Sequence, residues 1–256
     1  MSQVKDLGIL DPDTGCPYSY YLKRVEKKWQ RPAAWLPQGL AVHEAAEAWE
    51  RSDRAMSLDE AQAVYAESYR RHTDAQLEDT PNAEFWFSSG RYRGPEDIAR
   101  RFSIGLEQVE GYVRYYTEEH PDEEIWAAPD GAKVIELEFN IELGGVQVKG
   151  FIDQAIDGKP RDIKTGVNPG DDFQLAVYAA ALLLMYGVPM TTGDYWMARL
   201  GRPTVPYRLH NWTLESLGQV FQQADERIKA GDFPPRPSPD TCRRCSVAAS
   251  CRFFSA

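Results

Sequence analysis

The sequence predicts an α/β protein built on a central mixed β-sheet flanked by helices. Three observations carry that expectation. From Lys133 to Leu143 the side chains alternate without a fault, Ile135, Leu137, Phe139, Ile141 and Leu143 against Glu136, Glu138, Asn140 and Glu142, which is the period of a half-buried strand. Phe173 to Tyr186 is apolar almost all round, as a buried helix is. The chain as a whole orders helices first, then a three-strand meander, the buried helix, two short strands and a last helix.

Taken in order, Cys16-Pro17-Tyr18-Ser19-Tyr20-Tyr21-Leu22 opens a helix, with Pro17 early, where its missing N–H costs nothing. Lys23, Arg24, Lys27, Lys28 and Arg31 then stand against a single acid, Glu26. That stripe is either a solvated helix face or a phosphate-contacting surface. Gln38 to Arg51, rich in Ala and Glu, is the second helix. His43 lies in its first turns, on the side of Leu40, Ala46 and Glu47. Ser57-Leu58-Asp59-Glu60 is a capping box that starts a helix toward Gln76. Pro81 to Gly94 is a loop carrying Phe85-Trp86-Phe87 and then Arg91 and Arg93. Phe85, Trp86, Arg91 and Arg93 are candidates to stack and grip a single DNA strand; the competing reading is packing that pins the loop. Gly94-Pro95-Glu96 begins another helix, with Ile98, Phe102, Val109, Tyr112, Val113 and Tyr116 inward. Residues 53–120 thus read as a mostly helical insertion within a single domain spanning 1–256.

After the strand that ends at Leu143, Gly144-Gly145 is a hairpin turn, and Val146 to Asp153 returns. Gly158-Lys159-Pro160 turns again into a short strand carrying Asp162-Ile163-Lys164. Alternation puts Asp162 and Lys164 on one face and Ile163 in the core, and Asp153 lies close enough across the turn to join them. Two carboxylates and an ammonium on one sheet face suit an oxygen-liganded cation and an activated water. The alternative is an exposed ion pair on a surface hairpin. Asp171 or Asp172 caps the buried helix, whose first turns place Gln174 and Tyr178 on one face, where the helix dipole favours phosphate. Tyr195 to Arg199 and Val205 to Leu209 read as strands, Thr213 to Lys229 as an amphipathic helix, and the Pro-rich stretch 233–239 delivers a cysteine-rich segment, about 240–256.

The formal net charge of −10 counts against a general nucleic-acid coat protein, though not against a nuclease whose acids hold metal. The first ten residues show no secretory pattern, and the longest apolar stretch, Leu175 to Met190, is broken by Gly187 and Pro189 and falls short of the ~20 residues that span a bilayer. A cytoplasmic protein is expected, with no membrane association. Thiols stay reduced there, so Cys16, Cys242, Cys245 and Cys251 suggest a metal site before disulfides. Zinc ribbons show two close pairs. A lone cysteine 226 positions before a group of three fits iron–sulfur ligation better, with zinc second and unligated thiols last. Such a site would staple together chain ends that otherwise fray.

Gly39-x-x-x-His43, Gly150-x-x-Asp153, Asp162-x-Lys164 and Gln174-x-x-x-Tyr178, with the four cysteines, occur in an order that resembles the RecB-like branch of the PD-(D/E)xK nuclease superfamily. More narrowly they resemble its iron–sulfur members, the AddB-type nuclease domains and the CRISPR-associated exonucleases. The resemblance spans Cys16 to Cys251. It implies a restriction-endonuclease-like core and an iron–sulfur staple, a 4Fe–4S cluster on Cys16, Cys242, Cys245 and Cys251. It further implies Mg²⁺ or Mn²⁺ held by His43, Asp153, Asp162 and the Ile163 carbonyl. Lys164 would orient or deprotonate the attacking water, and Gln174 and Tyr178 would position the phosphate and a nucleotide. The implied activity is a DNA exonuclease acting from single-stranded 5′ ends in recombination, repair or processing. Alternatives are an endonuclease, or a non-catalytic DNA-binding subunit of a helicase–nuclease complex. The chain holds no Gly-x-x-x-x-Gly-Lys-Ser/Thr phosphate loop, so a helicase or recombination partner would be a separate protein.

Overall fold

Helices form where apolar residues recur at helical spacing behind a start signal. Ser57 caps its helix as the capping box requires, its hydroxyl accepting the Glu60 N–H at 3.3 Å while the Glu60 carboxylate accepts the Ser57 N–H at 2.8 Å. A computed structural model describes residues 2–13 and 15–255. Its elements are α1 (Ser2–Asp6), α2 (Pro17–Tyr20), α3 (Trp35–Arg51), α4 (Leu58–Asp79), α5 (Gly94–Arg114), β1 (Ile135–Leu143), β2 (Val146–Ile156), β3 (Lys159–Lys164), α6 (Phe173–Tyr186), β4 (Thr192–Met197), β5 (Arg202–Pro203), β6 (Tyr207–Arg208), α7 (Leu214–Ala230) and α8 (Pro239–Arg243). The chain divides into two compact units, residues 1–31 with 141–148 and 212–256, and residues 32–140 with 149–211.

The larger unit carries most of the sheet, in which the strand order is β1-β2-β3-β4-β5, with β6 on β4. β2 and β3 are antiparallel, β3 and β4 parallel, and β4 antiparallel to both β5 and β6, so the sheet is mixed. A parallel neighbour demands a crossover, and α6 is that crossover. Its face-independent apolarity follows, because thirteen of its fourteen positions are Leu, Ala, Val, Phe, Met, Tyr or the like and only Gln174 is strongly polar. Helices α3, α4 and α5 pack around Trp49, Tyr65, Tyr69, Tyr112 and Tyr116, which join Ile163 and Trp196 of the sheet in one core. The Tyr112 and Trp196 rings meet edge to face at 5.3 Å, a geometry that adds to simple burial.

Arg161 of β3 is buried in that core. It forks onto Asp194 of β4 at 2.5 and 2.8 Å and reaches Glu123 and the Tyr116 hydroxyl, each at 2.7 Å. Of the two strands expected after Gly187, the first, Tyr195–Arg199, is shifted toward the N-terminus and the second, Val205–Leu209, is shortened. β4 covers Thr192–Met197, only Tyr207–Arg208 of the second run forms a strand, β6, and β5, Arg202–Pro203, lies before that run. Pro203 and Pro206 lack the N–H a longer ladder would need.

In the smaller unit, Gly144 and Gly145 turn with φ of 58° and 75°, the left-handed pair that the expected hairpin turn requires. The turn also sits directly on α7: a Cβ on Gly144 would lie 2.4 Å from the Gly218 carbonyl oxygen. Arg227 of α7 donates to the Leu7 carbonyl at 2.9 Å, and Arg236 to that of Pro12 at 3.2 Å, tying the chain's two terminal segments together. Among the described residues, no helix is long and apolar enough to cross a membrane.

Candidate metal centre

Between Gln154↔Arg161 and Ile156↔Lys159, β2 and β3 pair as a regular antiparallel ladder. Beyond Gln154 the pairing stops, and the Asp153 carboxylate takes the Ile163 N–H at 2.9 Å through Oδ2. A side chain stands where a strand carbonyl would, so Asp153 is wedged between the strands. Gly150 allows the approach beneath it: a Cβ there would meet the Phe139 ring at 2.8 Å.

Asp162, next on β3, is 2 % exposed. Its Oδ1 accepts from Gln174 Nε2 and, at 3.3 Å, from the Tyr178 hydroxyl. Its Oδ2 is buried and forms an ion pair with Lys164 Nζ at 2.5 Å. Lys164 also donates to Gln174 Oε1 at 3.0 Å and sits over the Tyr195 ring. Tyr178 contacts both acids, its hydroxyl lying 3.2 Å from Asp153 Oδ1. From α3, His43 Nε2 stands 3.0 Å from the Ile163 carbonyl oxygen, and Nδ1 lies 3.4 Å from Asp153 Oδ2.

The structure therefore brings His43, Asp153, Asp162, Ile163, Lys164, Gln174 and Tyr178 together. It adds Glu136, whose Oε1 is 3.5 Å from His43 Nδ1; His43, Glu136 and Asp153 offer three ligand atoms within 4.8 Å of one another. In the sequence, Glu136 is one of the outward residues of an alternating strand. What distinguishes it is its position at the strand's first turn of chain, where φ is +43°, and no sequence pattern reports that angle.

A second unanticipated feature holds the strand end. Gln38 donates to Gln108 Oε1 at 2.6 Å, and Gln108 donates to the Thr165 carbonyl at 3.0 Å. Both glutamines are buried, and amides at widely separated positions carry no spacing signal. The four loop candidates fare differently. Trp86 is buried with Ala34 and Ala83, and its indole N–H donates to the Thr80 carbonyl at 3.1 Å, so it pins the loop and is not a base-stacking surface. Phe85 is 63 % exposed. Arg91 donates to the Tyr92 hydroxyl at 3.0 Å, and Arg93 is the exposed residue that precedes α5.

Electrostatics explains what the acidic group lacks. Burial pushes the Asp162 carboxyl up from 3.8 to about 7, the Asp153 charge adding to the effect and Lys164 opposing it. Burial also raises Asp153, against the pull of His43. Burial would lower His43, but Asp153, Glu136 and Asp162 outweigh it and lift the imidazole to about 9. Burial and then the two aspartates hold the Tyr178 hydroxyl protonated, its pKa well above 10. Carboxylates gathered out of water require positive charge. The Asp162 carboxylate, the two other carboxylates, a carbonyl and one imidazole form an oxygen-rich set that fits Mg²⁺ or Mn²⁺.

In the smaller unit, Cys16, Cys242, Cys245 and Cys251 line one pocket and are all free thiols. The Arg236 N–H points at Cys16 Sγ, 3.4 Å away. Burial raises the Cys245 thiol; the Val247 N–H and Lys23 act to lower it, and Cys16 and Cys251 to raise it further.

Comparison with known proteins agrees with this geometry. The model of the PD-(D/E)XK nuclease superfamily matches residues 14–252. The gene 69 protein of Mycobacterium phage D29 is 45 % identical over 270 residues, covering 99 % of this chain and all of the phage protein. The gene 69 protein of Mycobacterium phage L5 is 42 % identical over 282 residues, covering 98 % of this chain and 97 % of its own. With the family match spanning nearly the whole chain and the acidic site assembled from both strands of the splayed hairpin, this protein belongs to the PD-(D/E)XK nuclease superfamily.

Proposed function

We propose that the protein is a metal-dependent deoxyribonuclease of the RecB-like, iron–sulfur branch, an exonuclease that takes single-stranded DNA from its 5′ end. The observation that supports it best is the pairing of Asp153 with the buried Asp162 beside Lys164. That arrangement is expensive as structure and useful as a phosphodiester-cleaving site. His43, Glu136, Asp153, Asp162 and the Ile163 carbonyl would hold the divalent ion. When bound, the ion supplies Lewis-acid polarisation of a phosphate oxygen and a charge that lowers the pKa of a water. Lys164 orients the attacking water or takes its proton. Gln174, bonded to both Lys164 and Asp162, sets the direction of the ammonium. Tyr178, held protonated, donates its one hydrogen to a carboxylate in the free site and would turn it to a phosphate oxygen of the substrate.

Cys16, Cys242, Cys245 and Cys251 would hold a 4Fe–4S cluster, or zinc in the alternative case. Free thiols around an apolar pocket with backbone N–H groups aimed at sulfur suit either. Recombination, repair or DNA processing alongside a separate helicase or recombination protein is the setting this reading implies. The test is digestion of end-labelled linear and circular single strands, and of duplex, in Mn²⁺, Mg²⁺ or EDTA. Cleavage of the linear single strand that stops in EDTA is expected. A circle cut as fast as the line would make the enzyme an endonuclease.

A further inference from the structure

Two elements that supply the acidic site, α3 and β2, and the segment that follows β3 leave large apolar side chains in water near its residues. On β2, Phe151 is 53 % exposed and precedes Asp153 by two, so both point to the same face about 7 Å apart. Lys149, two residues further back, continues that face and is exposed. On α3, Leu36 and Leu40 precede His43 by seven and three, which is one helical stripe, and they are 49 % and 52 % exposed. Val167, three residues beyond Lys164, is 69 % exposed. α3 and the Val167 segment are neighbours, because a Cβ on Gly39 would lie 3.4 Å from Thr165 Oγ1.

A soluble chain scatters exposed apolar residues singly. Here four of them lie on or next to elements that carry the site, and a cation continues the β2 row. We infer that Leu36, Leu40, Phe151 and Val167 form an apolar rim for the unstacked bases on either side of the scissile phosphate, with Phe151 the stacking platform and Lys149 the contact to the next phosphate. This rests on the nuclease reading above and names the part of the substrate that site would select. Base faces and aliphatic side chains exclude water from one another, and an aromatic ring adds stacking without regard to sequence. A paired duplex keeps its base faces covered and presents only phosphates and groove edges. The rim therefore selects strands whose bases are free. One strand step from Asp153 to Phe151 is comparable to one nucleotide of an extended strand, so the base engaged belongs to a nucleotide flanking the reacting phosphate.

The test is a cycle between protein and substrate. Phe151→Ala and Phe151→Trp are compared with the wild type on a short single strand and on the same strand with abasic nucleotides flanking the cleavage point. Binding is read separately in EDTA from 2-aminopurine placed at the flanking nucleotide, whose fluorescence falls on stacking. Phe151→Ala is expected to lose roughly 5- to 100-fold in kcat/KM on the intact strand, mostly in KM, and to lose the quench. Phe151→Trp keeps both. On the abasic strand, wild type and Phe151→Ala are expected to cleave alike. An unchanged KM and quench in Phe151→Ala, or a penalty that persists on the abasic strand, would overturn the rim. Metal-independent wild-type cleavage, or full activity of Asp162→Asn, would instead overturn the nuclease reading, and the quench would still decide the rim.

Discussion

The Asp153 carboxylate accepts the Ile163 amide hydrogen at 2.9 Å, a bond that a regular ladder would give to a backbone carbonyl. The exchange has two consequences. It ends the pairing of β2 with β3 after Gln154↔Arg161, opening a wedge in which Asp153 and Asp162 face one another. It also orients the Ile163 peptide so that its carbonyl oxygen meets His43 Nε2 at 3.0 Å. One hydrogen bond thus aligns an acid, a carbonyl and an imidazole from two strands and a helix. The arrangement is held by the larger unit alone, with Gln108 fixing the next carbonyl, that of Thr165.

Asp162→Ala and Lys164→Ala are each expected to lower DNA cleavage by ~10²-fold or more while the fold persists. Glu136→Gln is expected to act differently. Its carboxylate lies 3.5 Å from His43 at the edge of the group, so its loss should raise the half-saturating Mn²⁺ concentration ~10-fold or more and spare the rate at saturation. A Mn²⁺ titration of cleavage reads both numbers. A Glu136→Gln curve that superimposes on the wild type would remove Glu136 from the ligand set.

The metal-free protein should carry a pH-dependent instability that one substitution relieves. Asp162 binds its proton more tightly folded than unfolded, its pKa rising from 3.8 to about 7 through burial and the Asp153 charge. A raised folded pKa stabilises fully below the unfolded value and loses that contribution as pH climbs through the folded one. In EDTA, the wild type should therefore lose stability relative to Asp162→Asn between pH 4 and pH 7, by on the order of a few kcal/mol at about 1.4 per pKa unit. Mn²⁺ should restore the wild type and not the variant. Denaturant unfolding across that pH range makes the comparison, and a constant difference between the two proteins would refute the assignment.

The elements legible in the sequence are those with a local cause. The Ser57 capping box, the Gly144-Gly145 turn and the apolar helix Phe173–Tyr186 follow from residues within a few positions of each other. Asp162 and Lys164 share a strand, and Gln174 and Tyr178 a helical face, so period alone places each pair. What stayed hidden depends on contacts distant in sequence. Glu136 meets His43 across 93 positions, Gln38 meets Gln108 across 70, and Trp86 is buried in part by Ala34, outside its own loop. The division into two units is hidden for the same reason, since the smaller one is assembled from three separate segments.

Arg161 offers a stability test remote from the chemistry. Its guanidinium is 1 % exposed and bonds to Asp194, Glu123 and Tyr116. Removing it strands a buried Asp194, so Arg161→Ala should cost ~3–5 kcal/mol in denaturant unfolding. Arg161→Met with Asp194→Leu removes both charges and fills the space, and should recover most of that loss. A double variant no more stable than Arg161→Ala would show that the fork organises β3 and β4 beyond its charge balance.

The cysteine pocket gives a prediction that the nuclease site cannot influence. If the four thiols share one cluster, the purified protein should be brown, absorbing broadly near ~400 nm and bleaching on reduction, as thiolate-bound iron does. Cys16 comes from the start of the chain and Cys242, Cys245 and Cys251 from its end, and all line the same pocket. Each would supply one ligand of four, so Cys16→Ala and Cys245→Ala should destabilise alike and lose the colour alike, because metal-binding energy in such a staple is folding energy. Iron, sulfide and zinc analysis distinguishes the metals, and stoichiometric zinc in a colourless protein would replace the iron assignment. Cys16 is the critical arm. Were Cys16→Ala to keep both colour and thermal midpoint, the three clustered cysteines would have to find their fourth ligand elsewhere, and the staple between the chain's ends would not exist.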